Sequence, residues 1–214
     1  MLEAPEMIKP EELQQRWDRT RKLLSQLVPQ AQGLLALSRI NILWCSGHMA
    51  KGMFWLPLEG EPLLLVRKGL ERARMESPLE RIHSFRSFGD VPGMLFELGY
   101  SSLECVAVEY SGLSWAVGRK LETRLQGWRL EDGDAVLERA RSVKTGWELA
   151  TMRQAGESHG EGLEREMPRR IRPGMSEREI GFISWEEFFR KGSQGIVRMS
   201  EGGEELFLGH VSAG

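Results

Sequence analysis

Short apolar runs that alternate with helical stretches restrict the possible folds of this chain more than any other feature of its sequence. Met53–Pro57 and Pro62–Val66 are two of these runs, and the acidic, glycine-containing link between them predicts a β-hairpin. Further strands are predicted at Gly33–Ser38, Ile40–Cys45, Ile82–Phe85, Val106–Val108 and Trp128–Leu130, with helices at Leu70–Glu76, Val91–Leu98 and Leu113–Leu125. This alternation indicates an α/β fold with a mixed, partly parallel sheet and flanking helices.

The chain changes character after residue 137, which we take as the end of the first domain. Thr145–Glu148 and Ser176–Glu179 are capping boxes, in which a hydroxyl and a glutamate satisfy the free N–H groups at the start of a helix. They predict two helices in residues 138–214, and Leu206–Val211 predicts a strand without sheet partners. Because two helices and one strand are too few for a core, residues 138–214 are interpreted as the incomplete beginning of a second domain.

The composition is that of an ordinary folded protein without a strong charge. The 214 residues include 29 lysines and arginines and 31 aspartates and glutamates, which gives a formal net charge of −2. This balance gives no reason to expect nucleic acid or an anionic membrane as a partner. No apolar stretch approaches the ~20 residues of a membrane-spanning helix, and the N-terminus lacks the pattern of a signal peptide. We therefore expect a cytoplasmic protein.

Both cysteines, Cys45 and Cys105, lie in apolar runs. This setting favours buried, reduced thiols over a disulfide. The chain has no Cys-x-x-Cys pair, which excludes a zinc knuckle and a thioredoxin-type site.

The sequence contains none of the common catalytic strings, such as a P-loop, His-Glu-x-x-His or Gly-x-Ser-x-Gly. His159 and Glu161 are metal-ligating residue types, but residues two apart on a helix point to different sides. Glu161 is instead predicted to pair with Arg165 on a solvated face. We therefore assign no catalytic residue and no metal ligand.

His48 is a weak candidate for a substrate-lining residue. It follows Ser46 and Gly47 at the end of a predicted strand, where loop residues often reach a neighbouring pocket. The more common arrangement is a histidine at the surface or with its hydrogen bonds satisfied, and that alternative stays open.

The order of four segments resembles one enzyme family. Leu43–Gly47 resembles the Tyr-Leu-x-Gly element of creatinase N-terminal domains, and Val136–Ala155 resembles the junction motif of Xaa-Pro peptidases, Arg-x-x-Lys-x-x-x-Glu-x-x-x-Met-Arg-x-Ala. Ile171–Glu177 and His210–Gly214 resemble the entry and the first strand ending of their pita-bread catalytic domain. The chain is thus similar to the Xaa-Pro aminopeptidase, prolidase and creatinase family.

The resemblance implies a creatinase-like N-terminal domain followed by the start of a pita-bread α+β domain. Family members hydrolyse the bond before proline with two divalent metal ions, such as manganese, cobalt or zinc, held by two Asp, one His and two Glu. Those ligands follow the segment that His210–Gly214 resembles, and the last aspartate here is Asp134. The expectation is the N-terminal portion of a metal-dependent Xaa-Pro peptidase, inactive as it stands and without a cofactor of its own. Its full-length form would act on proline-containing peptides and form a homo-oligomer.

Two further readings of the resemblance remain. His210 is a second weak candidate for a substrate-lining residue, the alternative being a strand histidine that only packs locally. The chain as a whole is also compatible with a non-catalytic creatinase-like module for peptide binding or oligomerisation.

Overall fold

The computed structural model describes residues 7–111, 113–193, 195–198 and 205–207. The chain divides into two compact units, the first ending at Val143 and the second beginning at Lys144. The boundary predicted at residue 137 lies inside helix Asp134–Ser142, and this division falls just after the end of that helix. The reason is that helix Asp134–Ser142 packs against helix Pro10–Leu27 and so belongs to the first unit.

The first unit contains six helices and six strands in its described residues. The helices are α1 Pro10–Leu27, α2 Arg39–Ser46, α3 Leu70–Glu76, α4 Val91–Glu97, α5 Trp115–Arg124 and α6 Asp134–Ser142. The strands are β1 Gly33–Ala36, β2 Gly52–Pro57, β3 Leu63–Val66, β4 Ile82–Ser84, β5 Cys105–Val108 and β6 Arg129–Asp132.

The six strands form one mixed sheet in the order β4-β3-β2-β1-β5-β6. The β2–β3 hairpin is antiparallel, as predicted, and β1 pairs antiparallel with β2. The pairs β1–β5, β5–β6 and β3–β4 are parallel. The mixed α/β sheet predicted from the alternation of strands and helices is therefore confirmed.

Helices cover both faces of this sheet, which explains why its inner strands are continuous apolar runs. Alternate residues of each strand enter one of two cores. Leu34 of β1 packs in the core that contains residues of α1, α2 and α6, whereas Leu35 packs in the core that contains residues of α4 and α5.

The strand predicted at Ile40–Cys45 is wrong, because these residues lie in helix α2. The Ser38 hydroxyl caps the helix by accepting from the Asn41 N–H at 3.2 Å. Gly47 ends it in the left-handed conformation, at φ 76°. A short apolar run does not distinguish a buried strand from a buried helix, and here the two flanking caps decide.

The second unit contains α7 Gly146–Glu161, α8 Met167–Arg170 and α9 Glu177–Arg190, with a π-helical turn at Gly162–Glu166. Both predicted capping boxes are present, at the starts of α7 and α9. The strand expected to lack a partner has one over its described part, because β8 Glu205–Phe207 pairs antiparallel with β7 Ile196–Arg198.

No helix in the described part of the chain is long and apolar enough to cross a membrane.

Candidate functional site

The carboxyl ends of β1, β5 and β6 meet at one edge of the sheet, because these strands run parallel. A polar residue follows each strand closely: Ser38 after β1, Glu109 after β5 and Asp134 after β6. This is the edge at which α/β sheets commonly place functional groups, so it is the first place to look for a site.

Glu109 lies at the centre of this edge with only 2% of its surface exposed. Its Oε2 accepts from the backbone N–H groups of Leu37 at 2.7 Å and Ser38 at 2.8 Å. Its Oε1 accepts from Asn41 Nδ2 at 2.8 Å. Because three donors satisfy this buried carboxylate, it fastens the turn between β1 and α2 to the end of β5.

Arg141 extends the arrangement to helix α6. Its Nη1 donates to Asn41 Oδ1 at 2.8 Å, so Asn41 bridges Glu109 and Arg141. Arg141 is the first arginine of the junction motif described above. We call Glu109, Asn41 and Arg141 the Glu109 network; it joins the sheet edge to the last helix of the first unit.

Three side chains cap the opposite end of α2. Arg16 Nη1 donates to the Trp44 carbonyl at 2.8 Å, and Trp17 Nε1 donates to the Cys45 carbonyl, also at 2.8 Å. The Ser77 hydroxyl donates to the Ser46 carbonyl. The last carbonyls of a helix lack partners within it, so these bonds from α1 and from the residue after α3 hold α2 in place.

His48 follows this capped end and is 7% exposed. Its Nδ1 lies 2.7 Å from Glu76 Oε2, and Arg72 Nε donates to the other oxygen of Glu76 at 2.5 Å. The hydrogen bonds from Arg72 and from His48 hold the pKa of Glu76 below its ordinary value. The structure thus places His48 after a helix rather than a strand, bonded to α3.

The other histidine proposed as substrate-lining, His210, lies outside the described residues. Its substrate-lining role, like that of His48, stays a prediction.

Cys45 and Cys105 are free thiols, and both are buried. Burial raises the pKa of the Cys45 thiol, with the nearby Glu109 carboxylate as a second cause. A thiol that stays protonated is a poor nucleophile, so Cys45 has the character of a core residue. Buried, reduced cysteines were predicted from the sequence, and this prediction is confirmed.

His159 and Glu161 contact different partners. The His159 ring stacks on Phe188 at a centroid distance of 4.8 Å, and Glu161 Oε2 accepts from Lys191 Nζ at 2.5 Å. The predicted pair between Glu161 and Arg165 is replaced by the one with Lys191, because the π-helical turn changes the spacing after Glu161. In the described residues, no group of three or more His, Cys, Asp or Glu side chains could hold a metal ion.

Residues 16–143 match the family described as the creatinase/prolidase N-terminal domain. The chain belongs to this family. The match spans most of the first unit, including α2, the sheet edge and the whole Glu109 network. The comparison with curated proteins finds no significant match.

Solved structures of peptidases share this creatinase/prolidase fold. An X-Pro aminopeptidase from Thermotoga maritima has a TM-score of 0.70 and 18% identity, over 84% of this chain and 51% of that one. A prolidase from Pyrococcus horikoshii has a TM-score of 0.69 and 16% identity, over 85% and 51%. The chain thus spans about half the length of these two relatives.

A third match covers less of this chain but nearly all of the matched chain. It is an aminopeptidase P, described as an Xaa-Pro aminopeptidase, from Streptococcus thermophilus, with a TM-score of 0.51 and 17% identity. It covers 60% of this chain and 98% of that one. At this identity the three matches establish a shared fold.

Sequence reasoning did not single out Glu109, Asn41 or Arg16. Glu109 carried a usable signal, because a charged residue directly after the apolar strand Cys105–Val108 must be paired if it is buried. Arg16 and Asn41 carried none, since their roles depend on α2 being a helix.

Proposed function

We propose that this chain forms the N-terminal, non-catalytic part of a metal-dependent Xaa-Pro peptidase, an enzyme that hydrolyses the peptide bond before proline. The observation that carries the proposal is the match of residues 16–143 to the creatinase/prolidase N-terminal domain. The shared fold with an X-Pro aminopeptidase over 84% of this chain supports it.

The chemistry of the described residues agrees with a supporting role. The buried carboxylate of Glu109 is occupied by three hydrogen-bond donors, and the Cys45 thiol is held protonated by burial. Neither is available as a base or a nucleophile. The described residues also do not fit a pair of divalent metal ions, so no step of hydrolysis is assigned to them.

What the first unit provides is a fixed scaffold. The Glu109 network joins β1, β5 and α6, while Arg19 Nη1 donates to the carbonyls of Ala140, at 3.2 Å, and Val143. These bonds fix the end of α6, where the chain leaves the first unit. In the proposed enzyme, the scaffold would help to wall a site that accepts proline-containing peptides, within a cytoplasmic homo-oligomer.

The test is peptidase activity with and without additional chain. The chain alone and the chain fused to the product of the reading frame downstream of Gly214 are each assayed on Xaa-Pro dipeptides and Xaa-Pro-Yaa tripeptides with added manganese or cobalt. We expect hydrolysis only by the fusion, and its loss on chelation. Chelator-sensitive hydrolysis by the chain alone, or an inactive fusion with well-folded domains, would contradict the proposal.

A non-catalytic module for peptide binding or oligomerisation is the second candidate. It is as compatible as the first candidate with the absence of a metal-binding group among the described residues. In that case the fusion binds proline-containing peptides, or self-associates, without hydrolysing them. Calorimetry and sedimentation on the same fusion separate the two candidates.

A further inference from the structure

A groove lies between α5 and β6 in the first unit, on the surface next to the last strand of the sheet. Its volume is about 230 Å³, and its lining includes Tyr110, Leu113, Trp115, Gly118, Leu121 and Leu130. None of its lining residues belongs to the Glu109 network, although Tyr110 directly follows Glu109 in the chain.

Two aromatic residues of this groove are unusually accessible. Trp115 is 82% exposed and Tyr110 is 44% exposed, while Leu121 at the base is buried. Large aromatic side chains contribute most to the stability of a core or an interface. An indole that is mostly outside the core is therefore available to a binding partner.

The face of α5 that borders the groove has a glycine, Gly118, at its centre. Trp115, Gly118, Arg119 and Glu122 recur at the spacing of one face of α5. A Cβ added to Gly118 would meet no atom within 4 Å. Glycine inside a helix costs roughly 1 kcal/mol relative to alanine, and no close contact with the described part of the chain requires it at Gly118.

Carboxylates lie near the Tyr110 end of the groove, and the Asp134 side chain accepts from the Tyr110 backbone N–H at 2.8 Å. Burial raises the pKa of Tyr110, and the carboxylates of Asp132, Glu131, Glu122 and Asp134 raise it further. Arg119 and Arg129 pair with Glu122 at 3.0 Å and Glu131 at 3.1 Å. Asp132 and Asp134 instead accept from backbone N–H groups.

One cation already contacts the aromatic wall. The Arg119 guanidinium lies 6.0 Å from the centre of the Trp115 ring, at the distance of a cation–π contact. The exposed fraction of Trp115 leaves room for a second contact of the same kind.

We propose that this groove binds an extended peptide segment of a partner protein through an arginine or lysine side chain. The cationic group stacks on Trp115 and Tyr110 and faces Asp132 and Asp134, while the peptide backbone lies over Gly118. The proposal concerns binding alone and does not depend on peptidase activity.

In the experiment, the full chain is titrated with three capped pentapeptides. Each has alanine at positions 1, 3 and 5, and the three differ in having arginine, glutamine or glutamate at both positions 2 and 4. The Nε1–H signal of Trp115 is followed by NMR and assigned by its loss in Trp115→Phe. We expect saturable shifts with the arginine peptide only, weakened by added salt because the contact is partly between exposed charges.

Gly118→Leu provides the decisive variant, with Gly93→Leu as its matched control. Gly93 lies in α4, is exposed, and would also meet no atom within 4 Å if it gained a Cβ. Both variants are expected to fold, but only leucine at position 118 fills the groove, lowering affinity at least about tenfold, as for a central contact. Equal binding of the arginine and glutamate peptides, no saturation, or equal effects of the two variants would each overturn the proposal.

Discussion

Helices α2 and α7 show two ways in which a helix of this chain is held. Helix α2 has 8 residues, and five of them are buried: Asn41, Ile42, Trp44, Cys45 and Ser46. Helix α7 has 16 residues and no buried residue. An isolated helix as short as α2 is unstable in water, so α2 depends on its contacts with the sheet, with α1 and with Glu109. Helix α7 has its capping box and two contacts near its carboxyl end, the stacking of His159 on Phe188 and the ion pair of Glu161 with Lys191.

The apolar residues of α7 illustrate the difference. Met152 is 56% exposed and Leu149 is 40% exposed, although their spacing is that of a core-facing helix. Ile42 in α2 is fully buried. Apolar spacing typical of a core-facing helix therefore does not show which residues of α7 are buried.

The largest effect is expected from Glu109→Ala. The substitution leaves two backbone N–H groups and the amide of Asn41 without their acceptor inside the protein, which costs about 3–5 kcal/mol of unfolding free energy. Urea denaturation followed by far-UV circular dichroism measures it. Glu138→Ala, at an exposed position of α6, is the control and should change little.

Truncating one apolar residue in each helix compares them directly. Ile42→Ala should lower the unfolding free energy by about 2–5 kcal/mol, because it opens a cavity in a core. Met152→Ala should stay within about 0.5 kcal/mol, as expected at an exposed position. Equal losses in the two variants would mean that α7 is buried in solution.

Removing the N-cap hydroxyl tests the local part of the comparison. Ser38→Ala and Thr145→Ala should each cost about 1 kcal/mol. We expect Ser38→Ala to lower the stability of the first unit as a whole, whereas Thr145→Ala should only fray the start of α7. Amide hydrogen exchange distinguishes the two variants. We expect faster exchange across β1 and β5 in Ser38→Ala and unchanged exchange across these strands in Thr145→Ala.

The smallest effect concerns acid pH at the capped end of α2. Because the pKa of folded Glu76 lies below its ordinary value, the carboxylate stabilises the folded state above that ordinary value, and this contribution is lost as the pH falls through the folded pKa. Glu76→Gln should therefore be less stable than the wild type at pH 7, with the gap closing below roughly pH 4.

Urea midpoints across this pH range measure the effect, with the exposed Glu80→Gln as control. A gap between wild type and Glu76→Gln that persists unchanged to pH 3 would contradict the assignment.

Sequence reasoning recovered the sheet because each strand carried its own signal. β2 and β3 are bounded by turn residues, and both faces of the inner strands are covered, so the runs are apolar throughout. The capping boxes at Thr145 and Ser176 were equally local and were confirmed.

The candidate site was less accessible, because it depends on pairs that are distant in sequence. Glu109 bonds to residues 71 and 72 positions away, and Arg141 bonds to one 100 positions away. No local sequence pattern predicts a hydrogen bond between residues so far apart. The strand predicted before His48 was wrong because a short apolar run does not show that α2 is a helix, whereas the satisfied histidine left open in the sequence analysis agrees with its bond to Glu76.

The capping of α2 also bears on the order of events during synthesis on the ribosome. The donors at its carboxyl end come from residues already made, Arg16 and Trp17, and from Ser77, 31 positions later. Glu109 holds the opposite end and is translated later still. In a nascent chain that has emerged from the ribosome only as far as β4, the carboxyl end of α2 would therefore have its hydrogen-bond donors. The other end would gain its contact with Glu109 only after β5 has been translated.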